Sequence, residues 1–291
     1  MLLLLLCSTL SGAALAGNGA KVSTSRGKVV GRIVEGAGGA QYRSFEGIPF
    51  AEPPVGALCF KAPQPIVQFP GGKVKAKDGP AIPHCLDFFS GGSFPASEDC
   101  LYLNIYAPKC TESKFPVLVF LPGGRFMVGG PREYKIDDGY MENIVSRGVI
   151  LVTVQYRLGP LGWWFSPEDG YLGNYGLLDA VEALKFVQQE IAAFGGDPEQ
   201  VTILGESAGA ALAQWVNGAV PAEGLFKGAI IMSIPTLEAG DADCSNRFTE
   251  LVCGAAGSCD PAVLASLTSE EIEAAVSTVY GVSYAILSEG P

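Results

Sequence analysis

The sequence predicts an α/β fold in which a largely parallel central sheet is flanked by helices. Two short, continuous apolar runs, residues 115–121 and 149–155, are typical of strands that are covered on both faces. Apolar side chains at helical spacing over residues 177–194 predict a long amphipathic helix. Strands that alternate with helices form parallel sheets, because each return to the same end of the sheet needs a crossover.

The segments before the first apolar run have strand-like patterns. Alternating side chains over residues 21–35, around Arg26 and Gly27, predict an N-terminal β-hairpin. Residues 45–56 are rich in proline, so we expect them to be extended and without regular secondary structure. Residues 101–107 alternate again and predict a strand.

The segments after the helix continue the α/β pattern. Gly195 and Gly196 are expected to end the helix. Residues 201–204 and 229–232 then predict two more strands, separated by a helix. Residues 260–291 are mostly helical in character.

The composition is that of a globular protein. The chain has 291 residues, 48% of them hydrophobic, which is compatible with a single domain. Acidic residues outnumber basic ones by 30 to 19, giving a net charge of −11 with no dense cluster of Lys and Arg. This balance argues against binding to nucleic acid or to an anionic membrane surface, since both require positive charge. We expect neither a cofactor nor a metal ion.

The N-terminus resembles a secretory signal peptide. An apolar run follows Met1, and the small residues around Ala16 fit a cleavage site after that residue. The run is too short for a stable membrane anchor. We therefore expect a secreted protein with a signal peptide over residues 1–16. Of eight cysteines, Cys7 would leave with this peptide, so the seven that remain include at least one that is free or paired between chains.

The strand at 201–204 leads directly into Gly-Glu-Ser-Ala-Gly at residues 205–209, and small residues that favour helix follow. A strand, a sharp turn and a helix form the context of a nucleophile elbow. The tight turn strains the serine backbone and leaves no room for bulk at the flanking positions. The pattern predicts that Ser207 is a nucleophile.

A serine hydroxyl needs a base to take its proton and donors for the oxyanion. The segment Pro122, Gly123 and Gly124 follows a predicted strand, where an α/β-hydrolase keeps its glycine-rich oxyanion loop. The N–H of Ala208, after the nucleophile, is the second expected source of donors.

The chain resembles the N-terminal half of the type-B carboxylesterase family, which includes cholinesterases and fungal lipases. The matching blocks occur in the family's order and together cover about residues 22–227; they lie at residues 45–56, 97–104, 156–159, 173–179, 194–198 and 201–210.

This resemblance implies an α/β-hydrolase fold, with residues 17–291 as an incomplete, N-terminal portion of the family domain. It implies hydrolysis of small-molecule carboxylic esters or lipids through an acyl-enzyme on Ser207. By position, the oxyanion N–H groups are those of Gly124, Arg125 and Ala208, and Glu206 is a supporting acid.

The resemblance also implies disulfides. Cys85 and Cys100 correspond to the family's N-terminal disulfide. A second pair would come from Cys244, Cys253 and Cys259, and the sequence leaves open which two of them pair.

The triad is incomplete in this sequence. In the family, the acid and then the histidine follow the serine by well over a hundred residues, whereas 84 residues follow Ser207 here. The only histidine is His84, which we interpret as a solvated loop residue. The expected activity is therefore weak or absent. Alternatives are a non-catalytic, cholinesterase-like binding protein and a hydrolase whose base comes from another chain. Without the family's later strands, an uncovered sheet edge would favour self-association.

Two further positions depart from the family. Arg125 stands where a third glycine is usual, so we expect crowding or an altered backbone there. Cys59 stands where an arginine usually pairs with Glu98, which predicts that this acid lacks its partner and that Cys59 is the odd thiol.

Overall fold

The computed structural model describes residues 20–36, 39, 41–77, 83–86, 95–109, 114–131, 139, 143–167 and 170–235, and scattered positions between 253 and 271. The predicted signal peptide over 1–16, Cys244, Cys259 and most of the helical tail predicted at 260–291 lie outside these residues.

In the described residues, strands come first along the chain, and the α-helices all lie after β10. The strands are β1 (Lys21–Thr24), β2 (Gly27–Val30), β3 (Arg32–Glu35), β4 (Gln41–Pro49), β5 (Lys73–Lys75), β6 (His84–Cys85), β7 (Ala96–Ser97), β8 (Tyr102–Pro108), β9 (Phe115–Leu121), β10 (Ile150–Val154), β11 (Phe165–Ser166), β12 (Tyr171–Leu172), β13 (Gly196–Glu206) and β14 (Gly228–Met232). The α-helices are α1 (Gly159–Trp163), α2 (Tyr175–Glu190) and α3 (Ala208–Gly218). Short 3₁₀ helices lie at Gly56–Leu58, Pro70–Gly72, Val145–Arg147, Ile191–Phe194 and Val220–Ala222.

Seven of the described strands form the main sheet, in the order β14-β13-β9-β10-β8-β4-β3. The four strands from β14 to β10 are mutually parallel, and the pairs from β10 to β3 are antiparallel. The parallel strands come from residues 115–232, where α1 and α2 lie between β10 and β13, and α3 lies between β13 and β14. The nucleophile elbow lies in this region, between β13 and α3.

The core lies at the parallel strands and α2. Every residue of β10 is buried, as expected for a strand with side chains packed on both faces. The helix predicted over 177–194 is confirmed as α2, continued by the 3₁₀ turn Ile191–Phe194. Gly195 ends it with φ 91°, a left-handed conformation that glycine adopts without strain. None of the helices within the described ranges has the length and apolar character needed to cross a membrane.

One prediction for the N-terminal region is wrong in part: residues 50–55 lie in no named strand or helix, as expected, whereas residues 45–49 belong to a strand. The segment expected to lack regular structure begins inside β4, which pairs with β8 up to Pro49. A bulge between Glu46 and Ile48 accommodates Gly47 at φ 84°, and the Gly47 N–H donates to Asn104 Oδ1 at 2.9 Å. The first proline stands at the end of the strand, so it removes no hydrogen bond from the middle of the ladder.

The predicted hairpin is present as β1 and β2, which pair antiparallel around the turn at Ser25 and Arg26. The rest of that alternating segment, β3, leaves the hairpin after Gly31 and pairs with β4 in the main sheet. The N-terminal alternation therefore contributes strands to two different sheets.

The cysteines follow the expected pairing where the structure describes them. Cys85 and Cys100 form a disulfide with their Cα atoms 4.9 Å apart. Cys253 is also disulfide-bonded, whereas the other two candidates for that bond lie outside the described residues. Cys59 is a buried free thiol, as the sequence predicted.

Candidate active site

Ser207 lies on the turn between β13 and α3 and has φ 54° and ψ −122°. The two flanking glycines explain how the turn closes. A Cβ atom on Gly205 would lie 2.0 Å from the carbonyl oxygen of Gly209, and one on Gly209 would lie 2.0 Å from that of Leu121. No residue larger than glycine fits at either position. The strand, turn and helix lie where the sequence predicts them.

Hydrogen bonds hold the Ser207 backbone in its unusual conformation. Its N–H donates to the carbonyl oxygen of Met232 at 3.0 Å, and its carbonyl accepts from Ala210 at 2.9 Å and Ala211 at 3.2 Å. A non-glycine residue at positive φ typically costs about 1–3 kcal/mol. These contacts offset that cost and leave the Ser207 side chain half-buried at the end of the sheet.

The loop after β9 contains three consecutive residues at positive φ. They are Gly124 at 119°, Arg125 at 57° and Phe126 at 62°. The Gly124 carbonyl accepts from the N–H groups of Met127 and Val128, both at 3.0 Å. Within the described part of the chain, the N–H groups of Gly124 and Arg125 donate no hydrogen bond. The loop thus presents two adjacent backbone donors.

Arg125 takes the left-handed conformation itself. The sequence predicted crowding or an altered backbone at this position, where glycine is usual. Its side chain is exposed, and the backbone retains the positive φ that a glycine would adopt. The substitution therefore adds backbone strain, while the charged group remains accessible to water.

The loop and the elbow are in direct contact at Gly123. A Cβ atom on this residue would lie 3.0 Å from Ser207 Cβ, 2.6 Å from the Glu206 carbonyl oxygen and 2.9 Å from Glu206 Oε2. The Glu206 side chain, half-buried at the end of β13, therefore lies against the loop.

Ala208 completes the group of residues predicted from the sequence. It is buried and begins α3, so its N–H has no acceptor within that helix. The positive end of the helix dipole adds to the field at this point. Chemically, a serine hydroxyl beside unbonded backbone donors is suited to stabilising the oxyanion of an acyl-transfer reaction. In the described ranges, no group of His, Cys, Asp or Glu side chains is arranged to hold a metal ion.

Sequence reasoning missed the polar groups that support the loop from beneath. The buried Tyr156 hydroxyl donates to the Pro122 carbonyl at 2.6 Å. Next to it, Arg157 forms a buried ion pair with Asp179: Nε donates to Oδ2 at 2.8 Å, Nη2 to Oδ1 at 2.7 Å and the backbone N–H to Oδ2 at 3.0 Å. The sequence does contain an indication of this pair. Arg157 and Asp179 are oppositely charged residues with apolar neighbours in the sequence, and each lies in a block that matches the family.

The interpretation of His84 as a solvated loop residue is wrong. His84 lies on β6 and is only 2% exposed. A Cβ atom on Gly130 would lie 3.1 Å from His84 Nδ1 and 2.5 Å from Gln155 Oε1, so the ring lies between the end of the glycine loop and the end of β10. The neighbouring Cys85 disulfide and the pairing of β6 with β7 hold this segment against the body of the protein.

Glu98 has a partner, contrary to the sequence prediction. The Cys59 thiol shares a hydrogen bond with its carboxylate, beside a small cavity that Arg157 and the Cys85–Cys100 disulfide also line. Burial raises the pKa of the Cys59 thiol to about 12, and the Glu98 charge acts in the same direction. A neutral donor thus stands in place of the family's arginine.

Comparison with known proteins gives consistent matches. The sequence model of the carboxylesterase family matches residues 18–270. Juvenile hormone esterase of Tribolium castaneum is 42% identical over 218 residues, which are 75% of this chain and 37% of that protein. A solved thermophilic PNB esterase has a TM-score of 0.80 and 31% identity, covering 92% of this chain and 55% of its own. The solved juvenile hormone esterase from Manduca sexta, with OTFP covalently attached, has a TM-score of 0.77 and 30% identity, covering 89% of this chain and 51% of its own.

The solved structures confirm the α/β-hydrolase fold predicted from the sequence. The chain spans 37% of the Tribolium protein and about half of each solved structure.

Proposed function

The chain belongs to the carboxylesterase family, and on this premise we propose that it hydrolyses carboxylic esters through an acyl-enzyme formed on Ser207. The observation that carries the proposal is the elbow geometry, with Ser207 at φ 54° in contact with the glycine loop at Gly123. Named relatives are esterases, which supports a small-molecule ester as the substrate class.

In the proposed reaction, Ser207 Oγ attacks the ester carbonyl carbon and its proton passes to a base. The resulting oxyanion accepts hydrogen bonds from the N–H groups of Gly124, Arg125 and Ala208. The bond to the alkoxy oxygen breaks, and the alcohol leaves with a proton. Water then hydrolyses the acyl-enzyme and restores the serine. The Glu206 carboxyl group, beside the loop, acts as the supporting acid next to the nucleophile.

We propose that this activity is weak or absent in the 291-residue chain. The only histidine, His84, packs beside Gly130 and Gln155. Without a base, a serine hydrolase keeps only the contribution of substrate binding and the oxyanion hole, about 10³–10⁴-fold over water.

Turnover of p-nitrophenyl butyrate by the full chain tests the proposal, with Ser207→Ala as the control. Turnover that disappears in Ser207→Ala supports the esterase function. No turnover, together with no labelling of Ser207 by a fluorophosphonate, would contradict it. Loss of serine-dependent activity in His84→Ala alone would identify His84 as the base.

The second candidate function is non-catalytic binding, as in cholinesterase-like adhesion domains. The location of the single histidine and the arginine at position 125 favour it. Serine-dependent turnover would exclude it.

We also propose that residues 1–16 are a signal peptide and that residues 17–291 are the secreted domain. The Cys85–Cys100 disulfide supports an oxidising compartment. Expression with the native N-terminus, followed by N-terminal sequencing of the protein in the medium, tests this. The expected first residue is Gly17, and retention of Met1 would contradict the proposal.

Self-association through β14 is a further proposal. Among the described strands, β14 lies at one end of the main sheet, and its side chains Ile230, Ile231 and Met232 are 42–45% exposed. It carries no charge that would discourage pairing with another strand. Sedimentation velocity over a range of concentrations should show dimers or larger species that Ile230→Lys reduces. Leu172→Lys, at another exposed apolar position, is the matched control; a monomer at every concentration would contradict the proposal.

A further inference from the structure

Three aromatic rings pack together beside the glycine loop, and we call Phe126, Trp163 and Trp215 the aromatic cluster. The Phe126 ring is stacked on Trp215, with centroids 5.2 Å apart and planes at 12°. Trp163 lies at 59° to both, at 4.6 Å from Phe126 and 5.8 Å from Trp215. Offset-stacked and tilted rings at these distances attract one another beyond simple area burial.

Phe126 is held at its backbone as well as at its ring. The Gly159 N–H, at the start of α1, donates to the Phe126 carbonyl at 2.7 Å. Trp163 is the last residue of the same helix, so α1 contacts Phe126 at both of its ends. The indole of Trp163 rests on α2, because a Cβ atom on Gly176 would lie 2.8 Å from its Cζ2. One side of the aromatic cluster is therefore anchored in the body of the protein.

The other side of the cluster is a residue of the helix that begins at the elbow. Trp215 lies two turns after Ala208 on α3 and remains 41% exposed. Phe126 directly follows Arg125, and both have positive φ. The ring stack thus connects the loop that contains the Gly124 and Arg125 donors with the helix that contains the Ala208 donor.

We propose that Trp215 is a positioning residue, which holds the left-handed Arg125–Phe126 pair at a set distance from the N-terminus of α3. The inference rests on the proposed function, since it assigns Trp215 the task of keeping the three oxyanion donors in one arrangement. Donors act on a developing charge only when their positions are set before the reaction. A half-exposed tryptophan contributes less to the core than a buried one, so its removal should affect the loop more than the whole fold.

Hydrogen–deuterium exchange of the full chain tests this, because Met127 and Val128 report loop order through their bonds to Gly124. In Trp215→Ala, exchange of the peptide that contains them should be at least about fivefold faster, with no change in β10. Trp215→Phe, which retains a ring for Phe126, should behave like the wild type. Gln214→Ala, at the neighbouring exposed position of α3, is the matched control. Unchanged loop exchange in Trp215→Ala, or acceleration that is equal throughout the sheet, would overturn the proposal.

Kinetics separate this inference from the esterase function. If p-nitrophenyl butyrate turnover depends on Ser207, Trp215→Ala should lower kcat about tenfold with little change in KM, and Trp215→Phe should restore it. A rise in KM at constant kcat would overturn the positioning role. If the wild type shows neither serine-dependent turnover nor fluorophosphonate labelling of Ser207, the proposed function fails, and the exchange measurement still decides the role of Trp215.

Discussion

Gly123 and Ser207 stand so close that a Cβ atom on Gly123 would lie 3.0 Å from the Cβ of Ser207. The same atom would lie 2.6 Å from the Glu206 carbonyl oxygen, which is backbone and cannot rotate away. Even one methyl group at position 123 must therefore push the glycine loop away from the elbow. This contact sets how the Gly124 and Arg125 N–H groups of the loop lie relative to the Ala208 N–H of the elbow, and the proposed oxyanion site needs both.

We predict that Gly123→Ala lowers the rate at which a fluorophosphonate labels Ser207 at least about tenfold, because displaced donors no longer stabilise the charged intermediate. Time-resolved labelling detected by mass spectrometry measures this rate. Gly218→Ala is the control, since a Cβ atom there meets nothing within 4 Å. Equal labelling of both variants would contradict the prediction.

We predict that Gly205→Ala destabilises the fold by about 1–3 kcal/mol or more, the usual range for overpacking. The added methyl group would lie 2.0 Å from the Gly209 carbonyl oxygen at the first turn of α3. Urea unfolding followed by circular dichroism gives the change in free energy. Gly228→Ala serves for comparison because its methyl group would lie 3.8 Å from Thr202 Oγ1, an ordinary contact. A loss of similar size in both variants would count against the steric explanation.

We predict that Asp179→Ala lowers the free energy of unfolding by about 3–5 kcal/mol, because it leaves the buried Arg157 charge uncompensated. The pair is 4% and 0% exposed. Lys185→Ala breaks a half-exposed ion pair with Glu182 on α2 and should cost about 0–1 kcal/mol. Chemical denaturation of the two variants under identical conditions measures the difference. Similar losses would show that burial of the first pair has no special effect.

We predict a decrease in stability at alkaline pH that depends on Cys59. Its pKa rises from 9.0 to about 12 through burial and the Glu98 carboxylate. From about pH 9 upward, the unfolded chain releases a proton that the folded chain retains. This thiol therefore lowers the free energy of unfolding by up to about 1.4 kcal/mol per pH unit until the folded thiol ionises near pH 12.

Urea denaturation of the wild type and of Cys59→Ala at several pH values between 8 and 11 tests this. The stability advantage of the wild type should shrink as pH rises, because the alanine variant lacks the ionisation. Other groups that titrate in this range are common to both proteins and cancel. An advantage that stays constant with pH would contradict the prediction.

The sequence by itself determined the features that depend on neighbours along the chain. The apolar runs of β9 and β10, the helical spacing of α2 and the glycines around Ser207 report local geometry, so each could be read directly. Only glycine relieves the steric conflict at the elbow, which is why that motif predicted its own backbone conformation.

Tertiary structure alone decided the features that depend on distant partners. Burial of His84 follows from a disulfide and from contact with Gly130, and neither alters the local pattern at position 84. Phe126 and Trp215 are 89 positions apart in the sequence, and their stacking requires the loop after β9 and the helix after β13 to meet. Pairing with β8 carries β4 as far as Pro49, into the start of the segment expected to be irregular, because the ladder bonds outweigh weak local propensity. Long-range packing and hydrogen bonding set these features, and no short window of sequence contains both partners.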